Sequence, residues 1–139
     1  MRKNIGQYRG KSVKTDKWVI GNLVCPLTHA VKICRQEAID GSITRVEHDV
    51  YPETVGECSG QGDKYGVPMY EKDIVLGLSY FSRPILAEVA FSGGAFGLKW
   101  NRGGVIEFTP FPSICNVEYE VVGNTVDNPE MMEATNNDM

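Results

Sequence analysis

No stretch of this 139-residue chain approaches the roughly 20 consecutive apolar residues that cross a bilayer, so a membrane-spanning helix is not expected. There is no CxxC pair, no Asn-x-Ser/Thr acceptor, and no apolar segment behind Arg2 and Lys3. That pattern predicts reduced thiols in a cytoplasmic setting for Cys25, Cys34, Cys58 and Cys115. Basic charge is also in deficit. A net charge of −4 and a pI near 5.2 do not suit a protein that coats nucleic acid, which needs surplus Lys and Arg on the contact face. Long helical periodicity is missing, and a full (β/α)8 barrel needs about 250 residues.

What remains is ordinary globular composition, 42% hydrophobic and 23% charged. The charge is unevenly distributed. Residues 1–17 hold six bases (Arg2, Lys3, Arg9, Lys11, Lys14, Lys17) against Asp16, a net of +5 that leaves −9 for the rest. The last stretch, from Asp127, carries four carboxylates and no base. Solvated termini account for this. The functional alternatives are a subunit contact between arm and tail, or a phosphate contact made by Arg2, Lys3, Arg9 and Lys11.

Period-two alternation broken by Gly and Pro dominates the chain and predicts short strands. In the first half they are Trp18-Val19-Ile20 and Leu23-Val24 around a turn at Gly21-Asn22, then Val31 to Ile33, then Ile43 to Val50. From Thr54 to Pro68 the glycines at 56, 60, 62 and 66 predict a turn-rich connection and the boundary between two halves. Beyond it the runs are Ile74 to Phe81, Ile85 to Phe91, Phe96 to Trp100, Val105 to Phe108 and Val117 to Val126. Short strands at this spacing suit a small antiparallel barrel. In the last run Glu118 and Glu120 are expected to face water, and the tail beyond it to fray or form a short helical cap.

Candidate chemistry is sparse. Gly6 to Ser12 is one residue short of a phosphate-loop spacing, and Gly60-x-Gly62-x-x-x-Gly66 misses the dinucleotide fingerprint. Cys25, His29 and Cys34 are zinc-competent side chains without closely paired spacing, so core thiols are the expectation and no metal is expected. Cys58 with His48 and either Asp49 or Glu53 is a conceivable thiol nucleophile that no spacing demands. The carboxylates Glu71/Asp73 and Glu118/Glu120 stand two apart on strands, where nothing separates their acidities. The expectation is therefore no catalytic set, no cofactor and no enzyme.

One constellation has a specific look. Tyr51-Pro52-Glu53-Thr54-Val55-Gly56-Glu57-Cys58-Ser59-Gly60 is followed by Asp63-Lys64-Tyr65-Gly66, then by Met69-Tyr70-Glu71-Lys72-Asp73-Ile74-Val75. With Tyr8-Arg9-Gly10-Lys11, Trp18-Val19-Ile20-Gly21, Glu88-Val89-x-Phe91 and Glu120-Val121-Val122-Gly123-Asn124, it resembles the YopX family of phage and prophage proteins over nearly the whole chain. Two positions depart from that family's pattern: Glu57 where Gln is usual, and Lys72 where Gly is usual. The resemblance implies a β-rich fold with an N-terminal region over 1–60, an SH3-like barrel over 61–127 and an acidic tail over 128–139. It carries no catalytic residue. The matching positions Trp18, Gly21, Thr54, Gly56, Gly60, Asp63, Gly66, Tyr70, Glu71, Asp73, Ile74, Gly123 and Asn124 are expected to be architectural. The functional expectation is a binding or assembly module acting as a homo-oligomer, partnered with itself and with no membrane. The alternative is a nucleic-acid-binding regulator using the basic arm.

Overall fold

The computed structural model describes residues 6–25, 30–78, 84–111 and 119–134. Alternation is realised as strands almost throughout: β1 (Tyr8–Lys11), β2 (Trp18–Val24), β3 (Lys32–Ile39), β4 (Ser42–Asp49), β5 (Gly56–Gly62), β6 (Pro68–Tyr70), β7 (Asp73–Leu78), β8 (Pro84–Ser92), β9 (Ala95–Arg102), β10 (Val105–Pro110) and β11 (Glu120–Asn124). A 3₁₀ turn (Pro52–Thr54) precedes β5, and one short helix, α1 (Glu130–Ala134), follows β11. The molecule is mainly β, in two antiparallel sheets ordered β4-β3-β2-β1-β5-β6 and β10-β9-β8-β7-β11. The chain divides into two compact units at Cys58/Ser59, inside β5.

In the unit before that boundary, β1 to β4 form an antiparallel meander, and β1 also pairs with Gly56 and Glu57 of β5. One sheet face carries the core of Val19, Ile33 and Val50, flanked by Tyr8, Leu23, Val31 and Val55. The expected turn at Gly21-Asn22 does not form. β2 runs unbroken, because Gly21 lies where a Cβ would be 2.2 Å from the Cys34 carbonyl oxygen. Here glycine serves the close approach of two backbones rather than a reversal.

In the unit after the boundary, β7 to β10 are consecutive hairpin neighbours, and β11 returns to the other side of β7. Met69, Val75, Ala87, Val89, Leu98 and Phe111 form its core, with Phe96, Trp100, Tyr119 and Val121 packed against them. Each of the six is at most 5% exposed, which is the main source of stability here. The segment expected as a turn-rich connection is only partly that. Residues 56–62 are a strand whose residues 56, 58 and 60 are buried, and the sharp turns are confined to 63–67. Glu120 is half-buried and pairs with Lys64 at 3.6 Å rather than simply facing water. Glu118, Cys115 and the end of the Ile74–Phe81 run lie outside the described residues.

Candidate functional site

The motif positions lie at the joints of the backbone. Thr54 is 5% exposed; its hydroxyl donates to the Tyr51 carbonyl at 2.6 Å and accepts the Lys11 N–H at 2.8 Å, fastening the 3₁₀ turn to the end of β1. Gly56 and Gly60 are buried in β5. Asp63 is 8% exposed and accepts three backbone N–H groups, from Tyr65 (2.8 Å) and Val67 (2.9 Å) on Oδ1 and from Val121 (3.0 Å) on Oδ2. Gly66 closes the same turn by donating to the Asp63 carbonyl at 2.9 Å. Burial pushes the Asp63 carboxyl up, but the three N–H donors and Lys64 more than reverse this and hold it below the ordinary carboxylate value.

Asp73 repeats the device between β6 and β7. It is 2% exposed and accepts the Tyr70 N–H at 2.8 Å, in a turn made by Glu71 and Lys72. Lys72 stands at φ +75°, a conformation glycine adopts freely and a lysine does not. Its departure from the family's pattern thus falls on a strained position. Ile74 is fully buried behind it. Gly123 lies at a register shift in β11, and the Asn124 side chain accepts the N–H groups of Val126 (3.1 Å) and Asp127 (2.8 Å), turning the chain towards α1.

Of the basic residues, Arg2 and Lys3 lie outside the described residues. Arg9 and Lys11 share one face of β1, and both lie over Trp18 at the start of β2, with Arg9 Cζ 4.6 Å and Lys11 Nζ 5.7 Å from the ring centroid. This is a cation–aromatic stack on strands. The Cys58/His48 pair is not brought together. Cys58 is buried in β5 and His48 lies on β4, with β3, β2 and β1 between them in the strand order. His48 Nε2 instead meets Glu37 Oε2 at 2.5 Å, and Arg35 Nε donates to the same oxygen at 2.7 Å. These two contacts, Arg35 first, hold the Glu37 carboxyl below its ordinary value. Cys25 is exposed and Cys34 buried, both free thiols, and His29 lies outside the described residues. Among the described residues no three metal-ligating side chains converge.

Sequence reasoning placed strands at Val31 to Ile33 and Ile43 to Val50 but missed the long hairpin that β3 and β4 form. Its two-residue turn, Asp40-Gly41, has φ of +50° and +80°, the mirror-image turn that matches strand twist. The ladder is continuous from Lys32↔Asp49 to Ile39↔Ser42. Ile39 (45% exposed) and Ile43 (71%) lie unburied near its tip. Arg45 Nε donates to Cys34 Sγ at 2.8 Å, and its Nη2 lies 3.4 Å from Glu47 Oε2. A shallow depression of about 330 Å³ opens beside them, lined by Asn22, Cys34, Arg35, Gln36 and Arg45. The signal that could have found this hairpin is Asp-Gly between two alternating runs.

Comparison with known proteins gives a family and a fold. The YopX protein family matches residues 7–133. No curated protein matches the chain. The crystal structure of protein EF1440 from Enterococcus faecalis is similar at a TM-score of 0.54 and 20% identity, over 94% of this chain and 100% of that one. No helix among the described residues is long and apolar enough to cross a membrane.

Proposed function

The chain belongs to the YopX protein family, and from that premise we propose that it is a non-enzymatic binding and assembly module that acts as a homo-oligomer. The observation that carries the reading is the β3–β4 hairpin. It ends a six-stranded sheet, and Ile39 and Ile43 at its tip stay open to solvent. Open strand edges and open apolar side chains are the features that subunit pairing covers. The proposal includes a phage or prophage origin, a cytoplasmic setting and an SH3-like barrel over 61–127, for which β7 to β11 supply the strands. Light scattering on the full chain across a concentration series tests the assembly. A mass that rises above one chain is expected, and a strict monomer into the high micromolar range overturns it.

One observation favours a second reading, nucleic-acid binding. Arg9 and Lys11 stand together over Trp18 on the strand that continues the basic arm. Removing residues 1–11 would delete β1 itself, so the test is R2A/K3A in the full chain. A nucleic-acid binder shows a salt-dependent affinity for an oligonucleotide, with a slope that flattens in the variant. No retention at low salt overturns this reading.

A further inference from the structure

We propose that β4 pairs antiparallel with the β4 of a second copy, about a two-fold axis through Val46. This rests on the homo-oligomer reading above and adds to it the surface, the register and the recognition chemistry. Across a two-residue turn the flanking residues Ile39 and Ser42 exchange backbone hydrogen bonds, and antiparallel pairs then alternate. The N–H and C=O groups of Ser42, Thr44, Val46 and His48 therefore face β3, while those of Ile43, Arg45, Glu47 and Asp49 face away from it. The Asp49 carbonyl confirms the alternation, since it accepts the Val13 N–H at 2.9 Å from the outer side. Among the described residues no strand lies beside Ile43, Arg45 and Glu47.

Charge selects the register. Two-fold pairing keeps each side chain on its own sheet face, so residues meet partners of the same parity. With Val46 at the axis, Arg45 opposes Glu47 of the second copy, and its Glu47 receives Arg45 of the other. Each such pair also exchanges both backbone hydrogen bonds. A shift of two residues in one sense sets Arg45 against Arg45, and in the other sets Glu47 against Glu47. Like charges directly opposite are unfavourable. Val13 limits the ladder to residues 44–48 by occupying the position opposite Asp49. Ile43 of the second copy, 71% exposed, must therefore leave the ladder beside Val13, 47% exposed.

The test is a charge exchange in the full chain, read by sedimentation velocity. R45E and E47R should each weaken self-association more than about tenfold. An equimolar mixture of the two variants should restore it, because each then meets the charge it lacks; a variant that merely misfolds cannot be rescued by mixing. The double variant R45E/E47R should associate like the unaltered chain. If the unaltered chain associates and both single variants associate equally well, the β4 pairing is overturned while assembly through another surface stands. If the unaltered chain is monomeric throughout, the assembly reading itself falls.

Discussion

The two units use similar strands to different ends. Past Ser59, six core side chains are nearly withdrawn from water, and two buried carboxylates, Asp63 and Asp73, bind backbone N–H groups at the turns. Before Cys58, only Val19, Ile33 and Val50 form the buried cluster, and the longest hairpin extends beyond it. Both units keep apolar side chains open to water, among them Phe91, Val105 and Ile106 past the boundary and Val13, Ile20, Ile39 and Ile43 before it, so the difference lies in the size of the buried cluster and in the long hairpin that stands beyond the smaller one. On the assembly reading, substitutions beyond β5 are expected to act mainly on folding and those in β3–β4 on association.

The strongest way to break that contrast is Leu98→Ala. Leu98 is 1% exposed, and the cavity should cost about 3 kcal/mol in urea unfolding. A loss below about 1 kcal/mol would mean the second unit is not closed around its core. Next comes Asp63→Ala, which orphans the N–H groups of Tyr65, Val67 and Val121 and should cost about 2–3 kcal/mol.

The Asp63 carboxylate gives stability a pH signature. Its folded pKa lies below the ordinary aspartate value, so the stabilisation is fully present above that ordinary value and disappears as pH falls through the folded pKa. Acid unfolding curves should therefore be steeper for the unaltered chain than for Asp63→Asn below about pH 4. Superimposable curves would remove the carboxylate from the account.

Lys72→Gly is expected to act in the opposite direction, raising stability. Relief of the positive φ outweighs the entropy of the added glycine, giving a gain of roughly 0.5–1 kcal/mol. A loss on thermal unfolding would show that the lysine is not strained. Smallest in stability is Ile43→Ser, within about 0.5 kcal/mol at an exposed site. The same variant should nevertheless reduce self-association.

Much of the fold is legible in the residues. Ile85 to Phe91 reads as a strand and is one within Pro84–Ser92, because both its faces follow period two and Gly93-Gly94 ends it. Gly21 misleads, since its reason is the carbonyl of Cys34 on a neighbouring strand, a partner that local pattern does not display. Residues 56–62 mislead for a related cause: glycine density suggests reversal, yet the segment is pinned as a strand beside β1. Asp63 stands out in the motif, but the Val121 N–H that it holds lies 58 positions away. The open edge of β4 is the least legible feature. Alternation assigns faces to Arg45, Val46 and Glu47 without saying that only one side of the strand has a neighbour.

The most direct measurement is amide hydrogen exchange, resolved by residue, as concentration is raised. The N–H groups of Thr44 and Val46, bonded to β3, should be protected at every concentration. Those of Arg45 and Glu47 should exchange fast in dilute solution and slow as the chains associate. If Arg45 and Glu47 keep the same fast exchange while the mass of the particle rises, β4 is not the joining surface.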